Sequence, residues 1–437
     1  MAEERLSPDE LQDAWPVLAV DERVEALRLL ARDEAEDVFL NLPAREQEEV
    51  ISAMPASERR SWMRLLAPDD AADVIQAASP EQRELLLSLL DSATRTEVTA
   101  LLAHAEDQAG GLMNPRYARL RPDMTVDEAI RYLNRQTREG VETIYYSYVL
   151  DADQRLLGVV SFRELFKAAA DKKIRDVMNA DVVTIGEDLD QEAAARVYAE
   201  HDLMALPVVD AAGRMKGIVT HDDIVDVVQE EATEDIQKMG GVAALEAPYL
   251  EVGFGEMLTK RAGWLTVLFF GELLTATAMG FFEHEISKAV VLALFIPLII
   301  SSGGNSGSQA TTLVIRAMAL GEVRLRDWWR VVKRELVMGL ALGTILGVLG
   351  LVRIVAWEKA FGSYGVHWLG IGITVAVSLL GVVLWGTVVG SMLPLLLQRL
   401  RLDPASASAP LVATLVDVTG LVIYFTVASL ALSGALV

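Results

Sequence analysis

Five long apolar runs occupy the C-terminal part of this 437-residue chain and restrict what it can fold into. The predicted spans are approximately Trp264–Phe282, Val290–Ala317, Val337–Trp357, Leu369–Leu397 and Leu411–Leu436. Each run is long enough to cross about 30 Å of hydrocarbon as a helix. Because backbone polar groups must be satisfied internally in lipid, we expect residues 260–437 to form an α-helical membrane domain of five spans.

The remainder of the chain differs from this part in charge. Residues 1–259 hold 53 of the 62 acidic residues and 26 of the 39 basic residues, a net charge of −27, whereas residues 260–437 carry +4. This asymmetry indicates an acidic, water-exposed half joined to a membrane half. A strongly negative surface attracts cations and repels nucleic acid, which we exclude as a partner. The absence of cysteine excludes disulfides and thiolate metal sites.

The basic residues between the spans predict their orientation. If the spans alternate, ten basic residues fall on one side: Lys260, Arg261, Arg316, Arg324, Arg326, Arg330, Lys333, Arg334, Arg399 and Arg401. Only Lys288, Arg353 and Lys359 fall on the other. Because positive charge is enriched in cytoplasmic loops, we expect the acidic N-terminal domains in the cytoplasm and the C-terminus outside.

One carboxylate interrupts the last span. Asp417 is the only charged residue after Asp403. An ionisable group at that depth costs at least about 2.5–3.5 kcal/mol and usually marks an ion or proton path. Glu272 in the first span could line the same path or reach towards a partner. Asp417 is therefore the first candidate functional residue.

The second span ends in a segment rich in small and polar residues, Pro297 to Gln309. Proline and glycine weaken a helix, and backbone freed inside a membrane must face protein or water, which favours a pore lining. The alternative is close helix packing, where Gly and Ser are also common. Beside Asp417, we favour the pore lining. In the fourth span, packing is the better interpretation of Pro394 and of Gly381, Gly386 and Gly390.

The acidic half contains two repetitive parts. Up to about Leu102 the leucine spacing is helical, and prolines recur at Pro43, Pro55, Pro68 and Pro80. Proline followed by acidic residues is typical of helix starts, so we predict an all-α N domain of short stacked helices over residues 1–110.

Residues 111–228 hold one α/β module twice, over about 111–175 and 176–228. Gly111-Leu-Met-Asn-Pro115 corresponds to Asp176-Val-Met-Asn-Ala180, and the turns Asp151-Ala-Asp-Gln154 and Asp210-Ala-Ala-Gly213 also correspond. Each copy has a β-α-β-β-α pattern.

An acidic stripe leads from the second copy towards the membrane half. Asp223, Asp226, Glu230 and Glu234 recur at three- and four-residue spacing, on one face of a helix predicted around 227–240. Such charge runs are usually solvated faces. Stacked like charges nevertheless destabilise a helix unless cations bind. We predict that residues 229–259 form a connecting helix that leads to the first span.

The repeated module resembles a tandem pair of CBS domains. In that family a Ser/Thr-x-x-Asp signature contacts nucleotide ribose, which corresponds to Thr220 and Asp223 in the second copy and to Ser161 and Glu164 in the first. The resemblance implies ATP as a candidate ligand of this pair.

The whole chain resembles the MgtE family of magnesium channels, most specifically in Gly303-Gly-Asn-Ser-Gly307, in Gln309–Arg316 and in Pro410–Gly420. This implies a homodimer in the bacterial plasma (inner) membrane with one Mg²⁺ pore, in which Asp417 holds the ion. Backbone carbonyls near Ala413, together with Asn305 and Thr414, would hydrogen-bond the waters that Mg²⁺ retains.

The resemblance also implies regulatory Mg²⁺ at acidic residues of the cytosolic domains. These are Asp190, Glu192, Asp202, Asp223, Asp226, Glu231, Glu234 and Asp235, with Asp69 and Asp73 of the N domain facing them across a gap. Asp403, before the last span, corresponds to a position that holds the connecting helix. Bound Mg²⁺ would draw the domains together and close the pore.

Two other classes of function stay open at this point. A secondary transporter would exchange Mg²⁺ or another divalent ion for H⁺ or Na⁺, and Asp417 would then be a proton or sodium site. A non-transporting sensor would leave Asp417 and the Gly303–Gly307 segment unexplained. An enzyme is not expected, because no Ser/His/Asp or phosphate-loop pattern occurs and the five histidines are scattered.

Overall fold

A computed structural model describes residues 6–137, 141–201, 203–245, 249–250, 252–283, 290–362, 364 and 367–432. The chain forms two compact units, one ending at Gln229 and the other beginning at Glu230. Each unit is described by itself.

The first unit begins with a stack of short helices. They are α1 (Pro8–Ala14), α2 (Val20–Leu29), α3 (Arg32–Leu40), α4 (Ala44–Ala53), α5 (Ala56–Met63), α6 (Pro68–Ala77), α7 (Pro80–Leu89) and α8 (Ser92–Leu101). The recurring prolines stand where the sequence predicts helix starts. Pro43 and Pro55 are N-cap residues, and Pro68 and Pro80 occupy the first turn. The proline ring fixes φ near its helical value and lacks an N–H that would have no partner there, so each proline helps to set a helix boundary.

Two small β-sheets follow, one for each copy of the repeated module. The first copy contains α9 (Ala109–Leu112), β1 (Arg119–Leu120), α10 (Val126–Gln136), β2 (Tyr146–Leu150), β3 (Leu156–Ser161) and α11 (Phe162–Lys167). The second contains β4 (Ile185–Gly186), α12 (Gln191–Glu200), β5 (Ala205–Val209), β6 (Met215–Thr220) and α13 (His221–Met239). In both sheets the first strand pairs parallel with the middle strand, and the middle strand pairs antiparallel with the third. The predicted β-α-β-β-α order is confirmed.

An aspartate closes each hairpin, as the sequence predicts. Asp151 Oδ1 accepts hydrogen bonds from the backbone of Asp153 and Arg155, each at 2.8 Å. Asp210 Oδ1 accepts from Ala212 and Arg214, each at 2.9 Å. Short aspartate side chains stabilise turns by binding backbone N–H groups a few residues ahead.

The helical N domain shares its hydrophobic core with the second module. Phe39, Ile51 and Val74 from the helix stack are fully buried in the same cluster as Ile224 and Val227 of α13. Burial of this apolar surface fixes the N domain against the second module in this unit. As a result, α6 and the start of α13 are neighbours.

The second unit holds five helices long and apolar enough to cross a membrane, among the described residues. These five spans are built from six helices: α14 (Phe254–Phe281), α15 (Val290–Ala293), α16 (Ile296–Ala319), α17 (Trp328–Phe361), α18 (Trp368–Arg399) and α19 (Ala409–Leu432). The short helix α15 and α16 together make the second span, Val290–Ala319. Ahead of these, α13 ends at Met239 and the next helix begins at Phe254, so the predicted connecting segment 229–259 is not one helix.

The interpretation of the second span as a weakened helix is wrong. Helix α16 runs without interruption through Gly303–Gln309, and the break in this span lies earlier, between Ala293 and Ile296. The glycines serve close packing instead. A Cβ on Gly386 would lie 2.4 Å from the carbonyl oxygen of Gly303, and one on Gly390 would lie 2.1 Å from that of Gly307. Small residues let α16 and α18 approach backbone to backbone.

Candidate functional site: a membrane carboxylate and cytosolic acid clusters

Asp417 lies on the face of α19 that packs against α16. A Cβ on Gly304 would stand 3.7 Å from Asp417 Oδ1 and 3.4 Å from the Cβ of Ala413. Ala413 precedes Asp417 by one helical turn, so both lie over the same glycine. The absence of a side chain at Gly304 therefore leaves space beside the carboxylate.

Helix α14 approaches the same place from another side. A Cβ on Gly271 would lie 2.5 Å from Thr414 Cγ2. The carboxyl group of the next residue, Glu272, lies close to that of Asp417. Glu272 and Thr414 also line an open groove of about 580 Å³ along α14. Two carboxyl groups and a hydroxyl side chain thus lie close together within the span region, which places Glu272 at the site.

The polar side chains of α16 form a separate feature from its glycines. Ser301, Asn305, Gln309 and Thr312 are exposed, whereas Gly303 and Gly307 are buried on the opposite side. The exposed residues are spaced by four, four and three positions, so they share one face of the helix. Asn305 Nδ2 donates to Ser301 Oγ at 3.4 Å. A side-chain amide has more donors and acceptors than such contacts satisfy, so in a membrane this face needs water or a partner.

These groups are hard oxygen ligands of the kind Mg²⁺ prefers, but they do not form a closed metal cage within one chain. Across the described ranges, no group of three or more His, Cys, Asp or Glu side chains is arranged to hold a metal ion. Any ion at Asp417 must therefore rely on retained water or on ligands from elsewhere.

A second concentration of carboxylates lies in the first unit, centred on Asn114. This asparagine is fully buried, and its Nδ2 donates to Asp69 Oδ1 at 3.0 Å and to Glu142 Oε2 at 2.8 Å. Asp69 is itself buried, with 7% of its surface exposed, so it does not face the open gap that we expected. Burial, followed by the charges of Asp223, Asp70 and Glu142, raises the pKa of Asp69 well above its usual range.

The acidic start of α13 belongs to this cluster. Desolvation raises the pKa of Asp223 to about 7, although hydrogen bonds from Thr220 oppose the shift. Desolvation and the charge of Asp222 also raise the pKa of Asp226 and of Glu142. Mutual repulsion of this kind makes the cluster receptive to cations. We call the set comprising Asp69, Asp70, Glu142, Asp222, Asp223 and Asp226 the cytosolic acid cluster.

Sequence reasoning misses four residues of this arrangement. Asp70, Asp222, Glu142 and Asn114 are not among the predicted regulatory residues. Glu142 lies in a loop without periodicity, so no local pattern identifies it. Asn114 stood within the repeated Met-Asn motif, which was the only available signal.

Other predicted regulatory residues have local partners. Asp190 is the N-cap of α12 and accepts from Glu192 N at 3.1 Å, and Glu192 forms an ion pair with Arg196 at 3.6 Å. Asp73 lies one helical turn after Asp69 and is half-buried. Asp202 lies outside the described residues.

The two Ser/Thr-x-x-Asp/Glu signatures form N-terminal caps of helices. Ser161 Oγ donates to Glu164 Oε2 at 2.8 Å and accepts from Glu164 N at 3.2 Å. Thr220 Oγ1 donates to Asp223 Oδ2 at 2.8 Å and also contacts Asp222. Such reciprocal hydrogen bonds satisfy the first turn of a helix. Ser161 also lines an open groove of about 670 Å³ with Tyr145, Tyr146, Phe162, Arg163, Phe166 and Met204.

In the second unit, the end of α13 is tied to the segment before α19. Lys238 bonds the carboxylates of Glu234 and Asp403, with Nζ 2.6 Å from Asp403 Oδ2. Asp403 therefore contacts the last turn of α13. Glu231 and Asp235 lie on the same helix and are each engaged in at least one interaction.

Comparison with known proteins agrees with this architecture. Residues 296–427 match the family model described as a divalent cation transporter, MgtE, residues 6–107 match the MgtE intracellular N domain, and residues 109–171 and 174–230 match the CBS domain. The chain is 45% identical over 339 residues to the magnesium transporter MgtE of Thermus thermophilus, covering 78% of this chain and 73% of that protein. It is 33% identical over 333 residues to the magnesium transporter MgtE of Bacillus subtilis, covering 76% and 71%.

Among solved structures, the cytosolic domain of the Mg²⁺ channel MgtE in complex with ATP is 42% identical, with a TM-score of 0.48, covering 51% of this chain and 91% of that one. Taken together, the membrane helices, the CBS pair and the helical N domain define a membrane cation transporter with an intracellular N domain and a CBS pair. The chain belongs to the MgtE family of magnesium transporters, as its sequence motifs predict. This family is one of transporters and not of enzymes.

Proposed function

We propose that this protein is a homodimeric Mg²⁺ channel whose pore passes Asp417 and closes when Mg²⁺ binds the acidic cytosolic domains. The observation that carries the proposal is the position of Asp417 over Gly304, beside the exposed polar face of α16. A carboxylate next to a strip of amides and hydroxyls suits a cation that keeps its water.

The exposed polar face supports dimerisation. Ser301, Asn305 and Gln309 would meet hydrocarbon if one chain stood alone in a bilayer, which is costly for unsatisfied amides. A second copy facing the first across a water-filled path would remove this cost. Most oligomers with such self-facing surfaces have two-fold symmetry, which would bring two Asp417 side chains around one axis.

The ligand chemistry favours Mg²⁺ in hydrated form. Mg²⁺ loses water reluctantly and is usually bound by one or two carboxylates together with retained waters. Two Asp417 carboxylates supply that charge, while Asn305 and the Ala413 carbonyl would hold the waters. Thr414 contributes less to this shell, because its hydroxyl already donates to the Pro410 carbonyl at 3.0 Å.

The cytosolic acid cluster supplies the proposed sensor. Several of its carboxyl groups have raised pKa values because they are desolvated and repel one another, and a divalent cation would relieve that repulsion. Binding of Mg²⁺ at Asp69, Asp73, Asp190, Glu192, Asp223 and Asp226, and at Glu231, Glu234, Asp235 and Asp403 of the second unit, would stabilise the arrangement that closes the pore. Linkage then makes closure depend on cytosolic Mg²⁺.

The basic residues near the helix ends support the proposed orientation. We place the N domain and CBS pair in the cytoplasm and the C-terminal end of α19 outside, in the plasma membrane of a bacterium. The basic residues Arg324, Arg326 and Arg330 lie around the start of α17, on the side proposed as cytoplasmic.

Uptake of Mg²⁺ into proteoliposomes tests the pore assignment. Asp417→Asn and Asp417→Ala should each reduce uptake by at least about tenfold, because the carboxylate that binds the ion is lost. Asp153→Asn, in an exposed hairpin, is the matched control and should transport as the wild type does. Uptake that is unchanged in both Asp417 variants would contradict the proposal.

A second candidate function is exchange of Mg²⁺ for H⁺ or Na⁺, favoured by one observation. The carboxyl groups of Glu272 and Asp417 lie close together within the span region. Two neighbouring carboxyl groups repel when both are charged and can hold a proton between them, which an exchanger would use and a channel would not. Ohmic single-channel currents in a planar bilayer support the channel, and uptake abolished by collapsing a proton or sodium gradient supports the exchanger. Glu272→Gln should impair only the exchanger.

Nucleotide binding is proposed for the groove beside Ser161. Its aromatic side chains can stack on a base, and Arg163 can neutralise phosphate charge. Titration calorimetry with ATP, comparing wild type with Tyr145→Ala and Ser161→Ala, tests this assignment against binding at Thr220 and Asp223. If the affinity for ATP is unchanged in Tyr145→Ala and Ser161→Ala but is lost in Thr220→Ala, the nucleotide binds in the second copy.

A further inference from the structure

The last turn of α13 contains a lysine whose position bears on cation sensing. The Lys238 ammonium contacts Glu234, one helical turn earlier, and Asp403, in the segment before α19. The side chains of Glu234, Lys238 and Asp403 are 35%, 27% and 36% exposed, so the pairs are partly removed from water. Ion pairs in such surroundings are screened less by salt than those on an open surface.

Asp403 is held in place independently of the lysine. Its other carboxylate oxygen accepts a hydrogen bond from Ala405 N at 2.8 Å and caps the turn Pro404–Ser406. Ala405 and Ala407 pack with Met239 and Ile315 in one apolar cluster. Lys238 therefore contacts a carboxylate that is already positioned, so the Lys238–Asp403 ion pair links α13 to this segment.

The residues next to Lys238 connect α13 to the helix that carries Asp417. Gly241 has a φ of +72°, and a Cβ there would lie 2.6 Å from a ring carbon of Trp264. The indole N–H of Trp264 donates to Ser408 Oγ at 3.1 Å. Ser408 Oγ in turn accepts from Leu411 N at the start of α19, at 3.3 Å. Movement at the end of α13 would therefore be passed to the first turn of α19.

We infer that the Lys238 ammonium is a built-in competitor for the divalent cation at Glu234 and Asp403. It holds α13 to the segment before α19 when divalent ions are scarce, and it sets the concentration at which they replace it. The inference rests on the proposed regulation by Mg²⁺ and adds a residue that tunes it.

The physical basis is that both cations use the same oxygens. A lysine carries one compact charge on a flexible stem and can swing away, whereas a divalent ion brings two charges and can bridge both carboxylates. Because the lysine is part of the chain, its effective concentration at the site is high and does not change with cell conditions. The apparent affinity for the divalent ion is reduced by the fraction of time that the ammonium occupies the site.

Hydrogen exchange of the full-length protein in nanodiscs, titrated with Mg²⁺, measures both effects on α13. Lys238→Met removes the charge at similar side-chain length, Lys238→Arg keeps the charge, and Lys167→Met in α11 is the matched control at an exposed lysine. Without Mg²⁺, Lys238→Met should exchange faster than wild type over residues 235–240. Its Mg²⁺ midpoint for protection should fall by about 3- to 10-fold, because the competitor is absent. Lys238→Arg and Lys167→Met should resemble wild type.

A midpoint in Lys238→Met that is unchanged or raised, while wild type is protected by Mg²⁺, would overturn the competition and leave the proposed function standing. Wild-type protein without Mg²⁺-dependent protection would overturn the proposed regulation itself. Hydrogen exchange within α16 reports on the folding of the membrane half. If this measurement shows that Lys238→Met is unfolded, the Mg²⁺ midpoint for protection is measured in Lys238→Gln instead and judged in the same way.

Discussion

The side-chain amide of Asn114 donates a hydrogen bond to Asp69 Oδ1 at 3.0 Å, which joins the N domain to the start of the first CBS copy. The second N–H of the same amide goes to Glu142, so one neutral group holds two carboxylates. A neutral amide can do this without any bound ion, because it donates to both and adds no charge. The junction therefore has a cation-independent contact that Mg²⁺ binding would reinforce.

Substitution of Asn114 should loosen this junction. Asn114→Ala removes hydrogen bonds to two carboxyl acceptors and should cost about 1–3 kcal/mol for each acceptor left unsatisfied. Asn114→Asp adds a third carboxylate and should destabilise α6 further without Mg²⁺, but should gain more protection than wild type when Mg²⁺ is added. Hydrogen exchange of α6 measures both. Asn134→Ala, exposed on α10, is the control, and equal protection in Asn114→Asp with and without Mg²⁺ would contradict the expectation.

Asp223 makes the stability of the cytosolic half depend on pH when divalent ions are removed. Burial raises its pKa from 3.8 to about 7. Between these values the folded state binds more protons than the unfolded chain, so stability should decrease as the pH rises through this window and level off above it. Urea unfolding with EDTA at several pH values measures the slope. In Asp223→Asn the slope should be smaller, and added Mg²⁺ should also reduce it, because the cation takes the place of the proton. A slope that is identical in Asp223→Asn would show that other groups cause it.

The glycine contacts between α16 and α18 should tolerate no side chain. In Gly390→Ala the new Cβ would overlap the Gly307 carbonyl oxygen at 2.1 Å, and because both partners are backbone, the helices must separate. Overpacking of this kind costs about 1–3 kcal/mol or more. Gly263→Ala in α14 has nothing within 4 Å and should be neutral or slightly stabilising. Thermal unfolding in detergent compares the two variants, and equal melting temperatures would contradict the packing interpretation.

The space beside Asp417 should limit transport. Gly304→Ala places its Cβ at an ordinary contact distance of 3.4 Å from Ala413 and should retain uptake. Gly304→Val adds two methyl groups towards the carboxylate, so uptake should fall by about tenfold or more while the protein stays folded. Mg²⁺ flux into proteoliposomes, normalised to folded protein, separates the two. Equal flux in both variants would mean that the ion does not pass this face of α19.

The sequence predicts the elements of this protein better than the contacts between them. Proline position alone marks helix starts in the N domain, and the repeated hairpin aspartates reveal the duplicated module, because both signals act through local backbone geometry. The pattern fails at Gly303 and Gly307. There, low helix propensity suggests a weakened helix, but the helix is continuous and packs closely against α18.

The candidate sites show the same division. The free-energy cost of placing Asp417 in an apolar span can be recognised from the amino-acid sequence alone, and so can the acidic excess around Asp223. The structure adds three contacts: Glu272 lies close to Asp417, Asn114 binds Asp69 and Glu142, and Lys238 lies between Glu234 and Asp403. The residues within these groups are from 4 to 169 positions apart in the chain. Composition and periodicity determine which segments enter the membrane, which form helices and where charge is expensive, because these are local properties. Tertiary packing decides which carboxylates lie close together and which amide or ammonium group contacts them, because only the folded chain brings distant polar groups within hydrogen-bonding distance.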